Sequence, residues 1–573
     1  MDIQEIEGKI EEFRAAFLGE GWKWRHGQKE AIVEILTTYY AKTHSVVILD
    51  SPVGSGKSCI GMAAAWILNQ ENKSGFILAS DIALQEQYEN DFRRFGLSWG
   101  SIKGIDNYLC SDNGEKNSLG TCRIRNLPAK KMHCYDSCPY FSARDRASRS
   151  PTALLNYSYF LIMMNYVNVH GLDNSPFPPR PFVIADEGHK ILDIVQNHYS
   201  PRFDSRTAEK LEKLSRFFLN HRVHDHSRDV RDVKRGIERL FAAENQDELH
   251  GILGEIEGSV HEFLGSYQKL KDRVQRDYPH EDPPKEWRDA LWTCDWTKDF
   301  HCKVQDYVDI VAKTSTRNLI KNPTGDGELT FNCLEESYMM HKCFHRWSGF
   351  TVLMSATFAD PSKYMKSIAL NTAKYIRVES TFDFTRSPIY FHNKRRMSYG
   401  QIAANLPWLC KTIDEIFDKH PDENGIVHTA SYDLAMKIQK GISREHWKRL
   451  LIYNGTEEKR QVLEELKRSK NRVLMGPSLT HGLDLKNDWS RFMIFAKVPY
   501  PSLSDKYIET KLKISPDWYR WRTAIEILQG AGRTIRNEDD WCITYILDGC
   551  FGDLIHSNRK AFPEEFLKRI VVV

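Results

Sequence analysis

Short apolar bursts bounded by turn residues punctuate the chain at wide intervals. Ser45–Asp50 (SVVILD), Gly75–Ser80 (GFILAS), Phe182–Asp186 (FVIAD) and Thr351–Ser355 (TVLMS) carry almost no polar position. Such runs suit strands buried on both faces of a parallel sheet. Helical stretches separate them, and residues 1–40 read as helices as well. From about residue 385 the alternation resumes, with Gly425–His428, Arg472–Met475, Arg491–Ala496 and Cys542–Leu547 as strands. Two intervening regions break the pattern. Residues 100–150 show little periodicity and hold four cysteines, which marks an insertion. Residues 200–345 are charged, with spaced apolar residues such as Leu211, Leu214, Phe217 and Phe218. They predict a mostly helical block, interrupted near Asp282–Pro284 and Asn322–Gly327. The fold class is therefore α/β, in two halves, with the helical block inserted into the first.

Length agrees with more than one domain. A single core stops growing at roughly 250–300 residues, and this chain has 573. Hydrophobic residues make up 41% and charged residues 27%, ordinary for a globular protein. No apolar run approaches the length that spans a bilayer, so no membrane partner is expected. The acidic, amphipathic start lacks the basic-then-apolar pattern of a secretory leader. A cytoplasmic location follows as an expectation, with the 12 cysteines reduced rather than paired in a disulfide framework. A net charge of +3 disfavours a chain coated in nucleic acid but leaves room for a local basic channel.

Chemistry enters at Asp50–Ser58 (DSPVGSGKS), directly after a strand. Gly54, Ser55, Gly56, Lys57 and Ser58 match the end of the phosphate-loop pattern, in which backbone N–H groups cradle phosphates. Lys57 would reach the β- and γ-phosphates and Ser58 would ligate Mg²⁺; Ser51 stands where the pattern has its first glycine. Phe182–His189 (FVIADEGH) places Asp186 and Glu187 at a strand's C-terminal end, where α/β sheets bind ligands. Alone, such a pair reads as a helix cap. Beside a phosphate loop, Asp186 becomes a Mg²⁺ holder and Glu187 the group that orients or deprotonates water. His189 is placed to couple the nucleotide to the rest of the chain. Gln529–Arg536 (QGAGRTIR) puts Arg533 and Arg536 on one helical face, with Gln529 one turn before. Arginines there would stabilise charge on the transferred phosphoryl group, and Gln529 could position water; a solvated surface helix is the plain alternative.

Cys110, Cys122, Cys134 and Cys138 have the spacing C-x11-C-x11-C-x3-C. Four thiolates hold either an iron–sulfur cluster or zinc, and the spacing alone leaves both open. His133 is a further possible ligand. Around them, Arg123, Arg125, Lys130, Lys131, Arg144, Arg146 and Arg149 face only Asp136 and Asp145 within 121–149, a local excess of five positive charges. Tyr108, Tyr135, Tyr140 and Phe141 are interleaved. Cations that track phosphates and aromatics that stack on bases suit single-stranded nucleic acid; a solvated basic face is the alternative.

The order GSGKS, DEGH, Ser355–Thr357 and QxxGRxxR resembles a superfamily 2 helicase, and more closely the XPD/DinG-like iron–sulfur DNA helicases. Arg25 and Gln28 resemble the adenine-reading Q motif, and Leu84–Gln87 resembles motif Ia. Cys138–Arg144 followed by Leu155–Tyr157 resembles the end of the family's cluster domain. His481–Leu485, with Gly482 and Asp484 toward the nucleotide, resembles motif V, and Val498–Pro501 the family's apolar Pro-Phe-Pro stretch. Gly188 replaces the family's usual alanine, and Asp548–Phe551 lacks its usual basic residue. The resemblance implies two RecA-like motor domains. The first takes in 1–100, 151–200 and 346–384; 101–150 is an iron–sulfur insertion, 201–345 a helical Arch-like insertion, and 385–573 the second motor domain. It also implies ATP, Mg²⁺ and a [4Fe–4S] cluster in preference to zinc. DNA-stimulated ATP hydrolysis, 5′→3′ movement of a monomer on single-stranded DNA, and unwinding of duplex or forked DNA follow, in repair or replication. Lys103, Arg123, Arg125, Lys130, Lys131, Tyr135, Arg144, Asn156 and Ser431 become nucleic-acid contacts. An RNA or RNA–DNA hybrid track, a translocase that strips proteins or R-loops, and a metal-sensing binder with weak ATPase are the alternatives.

Overall fold

The structure is a computed structural model. It describes every residue except 20, 126, 171–174, 280, 325–326, 380–382, 454, 478, 480–486 and 532–539, and leaves out the side chains of 166–170, 456, 457 and 487. Two parallel seven-stranded sheets dominate it. The first runs, edge to edge, Lys374–Arg377, Val46–Asp50, Ser348–Ser355, Arg180–Ala185, Gly75–Ala79, Thr152–Asn156, Gly100–Ser101. The second runs Leu450–Ile452, Val473–Gly476, Gly425–His428, Phe492–Phe495, Ile543–Ile546, Ile389–Phe391, Ile570–Val572. Helices cover both faces, as parallel sheets require, since each strand's backbone must pair and each face must be buried.

Every apolar burst is a strand, and its side chains are buried on both faces. The strands that the pattern did not announce lie mostly at sheet edges: Lys374–Arg377, Gly100–Ser101, Leu450–Ile452 and Ile570–Val572. An edge strand buries less and so carries no continuous apolar run.

The helical block comprises Ser205–Asn220, Ser227–Ala242, Gln246–Asp277 and Lys285–Thr314. The last two are long antiparallel neighbours, and the expected break at Asp282–Pro284 is the turn between them. The second break is more than an interruption. Leu319–Pro323 and Leu329–Cys333 form an antiparallel hairpin that pairs with Arg202–Phe203. Leu329, Phe331 and Cys333 are buried while Thr330 and Asn332 are not, the period of two that makes a half-buried strand. The helical reading is corrected there.

The cysteine-bearing segment leaves the first sheet after Gly100–Ser101 and returns in Thr152–Asn156, the strand beside it. Its last helix, Pro139–Arg149, lies so close to the sheet edge that a Cβ on Gly100 would sit 2.4 Å from the Ala147 Cα. Only glycine fits there. Among the described residues no helix is long and apolar enough to cross a membrane.

Candidate functional site: a nucleotide cleft between two sheets

Val46–Asp50 delivers the phosphate loop at the C-terminal edge of the first sheet. Gly54 and Gly56 both take φ of 82°, the left-handed region that glycine adopts without a Cβ penalty. At Gly56 a Cβ would lie 2.3 Å from the Gln28 Nε2. That closeness has a purpose: Gln28 donates to the Ser55 carbonyl at 2.7 Å, and Arg25 donates to the Gly54 carbonyl. Gln28 in turn accepts from the Arg25 backbone N–H at 2.8 Å. Arg25 and Gln28 therefore engage the Gly54 and Ser55 carbonyls, while the Ser55 N–H closes the turn onto the Pro52 carbonyl at 3.1 Å. Lys57 and Ser58 open the helix Lys57–Gln70, whose positive end faces the same place. Ser51, the departure from the pattern, is buried and hydrogen-bonds the Ser55 hydroxyl at 2.6 Å, closing the loop that a first glycine would turn.

Arg180–Ala185 delivers the acidic pair. Asp186 is 2% exposed and accepts from the Tyr88 hydroxyl at 2.9 Å and from the Glu187 N–H at 2.8 Å. Burial pushes its carboxyl above the ordinary range and Glu187 pushes the same way, against the pull of Lys57 and Tyr88. A buried carboxylate beside a lysine and a second carboxylate is a fitting holder for Mg²⁺, whose charge would return it to the ionised form. Glu187 sits at φ 54°, an uncommon conformation for a side-chain-bearing residue that turns it out of the strand line. Its carboxylate lies 3.3 Å from the His189 Nδ1.

His189 extends the site across the cleft. It is buried, and its Nδ1 is 2.8 Å from the Ser355 hydroxyl. Ser355 donates to the Thr357 carbonyl at 2.8 Å and accepts from Gln529 Nε2 at 3.4 Å. Gln529 belongs to Pro516–Ala531, a helix of the second half. Trp521 of that helix donates to the Phe358 carbonyl at 2.9 Å, and Arg522 pairs with Asp193 at 2.5 Å. Gln529, expected to position water, is thus engaged with Ser355. Arg533, Arg536, Gly482 and Asp484 lie outside the described residues.

Sequence reasoning missed three residues that shape this site. Tyr88 and Tyr157 bond Asp186 from 98 and 29 residues away, and Tyr375 bonds Asp50 at 3.0 Å from 325 residues away. No local pattern signals such partners. Burial pushes the Asp50 carboxyl up to about 6, against Arg377 and the Tyr375 hydroxyl. An acid raised on folding holds more protons folded than unfolded, so stability falls as pH rises from ~4 to 6 and stays lower above that. Asp50→Asn removes that loss. Its thermal midpoint is expected to exceed the natural chain's at pH 8 and to match it near pH 4. The gain is at most about 3 kcal/mol, reduced by the lost attraction of the Arg377 charge and a weaker bond from Tyr375. A midpoint that is lower at pH 8 would show that the attraction of the Arg377 charge and the Tyr375 hydroxyl outweighs burial.

The remaining expected contacts are dispersed. Cys110 and Cys138 are buried, and Cys122 and Cys134 half-buried. Burial raises Cys122 and Cys134 above the ordinary thiol range, with the neighbouring cysteines pushing the same way, together with Asp112 at Cys134 and against Arg123 at Cys122. The Asn117 amide donates to the Cys138 sulfur at 3.3 Å. Arg123, Lys130 and Lys131 are exposed. Arg125 pairs with Asp282 of the helical block at 2.7 Å, and Lys103 with Glu86 and Glu89 at 3.0 and 3.4 Å. Arg144 packs over Phe141 and donates to Asp145 and Tyr135. Asn156 is engaged with Gln85 at 3.2 Å and the Tyr159 N–H at 2.9 Å, and Ser431 caps a helix through the Leu434 N–H at 3.1 Å.

Comparison with known proteins supports the same reading. Residues 413–568 match the helicase C-terminal domain, and residues 21–201 match the res subunit of type III restriction enzymes. No curated protein matches the chain. The structure of S. tokodaii Xpd4 is 15% identical with a TM-score of 0.61, covering 96% of this chain and all of that one. An XPD helicase structure gives 15% and 0.62 over the same shares, and an apo XPD structure gives 13% and 0.57 over 95% of this chain and 100% of its own. At these identities the structures speak for the fold. The helicase C-terminal domain lies on one side of the cleft and the phosphate loop and acidic pair on the other, so the chain carries a helicase C-terminal domain within a fold similar to the XPD structures along their whole length.

Proposed function

We propose that this helicase moves 5′→3′ on single-stranded DNA and opens duplex or forked DNA ahead of it. The observation that carries the reading is the bond chain Glu187–His189–Ser355–Gln529, which ties the hydrolytic carboxylate to the second half of the chain. Nucleotide state then biases the cleft, and a cleft that opens and closes once per ATP can advance a strand held across both halves. Arg533 and Arg536 are the proposed charge-stabilising groups from the second half, with Gly482 and Asp484 beside the nucleotide.

The track is proposed to pass beside the cysteine insertion. Among the described residues Arg123, Lys130 and Lys131 make none of the ion pairs that occupy Lys103, Arg125 and Arg144, so they are the stronger phosphate contacts. Arg125 pairs with Asp282 and so joins the insertion to the turn between the two long helices. Fluorescent forked DNA with a 5′ or a 3′ loading strand tests the reading: displacement is expected with the 5′ tail and ATP. ATP-dependent removal of a bound protein with no strand displacement on either fork would turn the reading to a translocase.

Cys110, Cys122, Cys134 and Cys138 are proposed to hold a [4Fe–4S] cluster. A cationic core would offset the burial and the neighbouring-cysteine repulsion that raise Cys122 and Cys134, and the Asn117 amide already donates to the Cys138 sulfur. When bound, the cluster would brace the insertion's turns. Freshly purified protein is expected to absorb near ~400 nm, and Cys134→Ser to lose that band and its iron together with strand displacement, while keeping basal ATP hydrolysis. A colourless protein holding stoichiometric zinc would overturn the cluster.

A further inference from the structure

Outside the cleft and the cysteine insertion, a third group of ligating side chains stands in the middle of the helical block. Glu257 and His261 lie one turn apart on Gln246–Asp277, on the face turned toward Lys285–Thr314. His301 faces them from that second helix, and one ligand atom from each of the three lies within 4.8 Å of the others. His301 Nε2 and Glu257 Oε1 are 2.7 Å apart, and the rings of His261 and His301 have centroids 5.1 Å apart.

We propose that Glu257, His261 and His301 form a binding site for a borderline divalent transition ion, zinc being the natural occupant, that staples the two long helices at mid-length. Two imidazoles and one carboxylate are a donor set suited to zinc, with the fourth position left to water. Tetrahedral bonds of ~2.0–2.1 Å put ligand atoms roughly 3.3 Å apart. The three side chains would need only small rotations to reach that spacing, since their ligand atoms already lie within 4.8 Å of one another and His261 is exposed. The buried partner is already placed: His301 is 3% exposed, and its Nε2 lies 2.7 Å from Glu257 Oε1. The proton now shared between His301 Nε2 and Glu257 moves to Nδ1 of the same ring, or leaves to water from the charged ring, as the metal takes its place.

The site also has an entrance. Gly254, one turn before Glu257, and Gly258 carry no side chain, and a Cβ built on either meets nothing within 4 Å. His261 is exposed and His301 is 3% exposed, so an ion enters from solvent at His261 and is gripped from within by His301. Bridging the pair at this point would stiffen the arm whose tip, at Asp282, meets Arg125 of the cysteine insertion.

Cobalt is the probe, because its spectrum separates this site from the cysteines. Titration of the intact chain with Co²⁺ is expected to give weak visible d–d absorption, saturating at one equivalent, without the strong near-ultraviolet band that thiolate ligands produce. His261→Ala is expected to lose that signal, and Glu257→Gln, which preserves an oxygen for the His301 hydrogen bond, to weaken it at least tenfold. Cys122→Ser is expected to keep it. Zn²⁺ is expected to raise the thermal midpoint of the natural chain and not that of His261→Ala. Since His261 projects into solvent, its replacement leaves the helix packing in place, and an unchanged metal-free midpoint verifies that. An equal cobalt signal in natural and His261→Ala chains, or no such signal from the natural chain at millimolar cobalt, overturns the site.

Discussion

Lys57→Ala is expected to lose ATP hydrolysis by three orders of magnitude or more and to lose strand displacement with it. Gly54 and Gly56 lie in the left-handed region, and Arg25 and Gln28 engage the loop's carbonyls, a loop shape that suits backbone N–H groups turned to an anion. Those groups bind phosphate oxygens but do not follow charge as the γ-phosphoryl group departs. Lys57, at the first position of its helix and within electrostatic reach of Asp186, is the mobile positive charge on that side of the cleft. Electrostatic stabilisation of this kind contributes roughly 3–4 kcal/mol per donor, and a full charge in a water-poor cleft contributes more. The loop itself keeps its bonds in the variant, so folding should be unchanged. Steady-state phosphate release and displacement of a labelled strand check both halves of the expectation. Unwinding that survives without hydrolysis would sink the motor reading.

How much of this was legible beforehand differs by residue. The strands that place the phosphate loop and the acidic pair were readable, because full burial on both faces writes a continuous apolar run. The loop's glycines were readable for a related reason, since φ of 82° is a demand that few other residues meet. Edge strands were not, as at Lys374–Arg377, where half the strand's environment is solvent or loop. Nor was the hairpin after Thr314, whose short alternating stretch was absorbed into a charged helical block. The partners of Asp50 and Asp186 were beyond any local pattern, because Tyr375 and Tyr88 are brought to them only by the order of strands in the sheet. The cysteines were legible as a set of four, but their identity as cluster or zinc ligands was left open by spacing alone.

Glu187→Gln isolates the chemical step from everything that surrounds it. The substitution keeps the size of the side chain and an oxygen able to accept from His189, so the bridge through Ser355 to Gln529 retains its geometry. It removes the capacity to take a proton from water. General-base assistance is worth about 10²- to 10⁴-fold, and turnover is expected to fall by that amount. Nucleotide binding should move in the opposite sense. One negative charge beside Asp186 is gone, so Asp186 ionises more readily and the site repels the triphosphate less. The variant is therefore expected to bind ATP at least as tightly as the natural chain and to hold the cleft closed, whereas Lys57→Ala loses affinity and leaves it open. Binding of a fluorescent ATP analogue, measured beside single-turnover hydrolysis, separates the two. If Glu187→Gln kept near-natural turnover, the carboxylate would serve only to position His189, and the base would have to be sought elsewhere in the cleft.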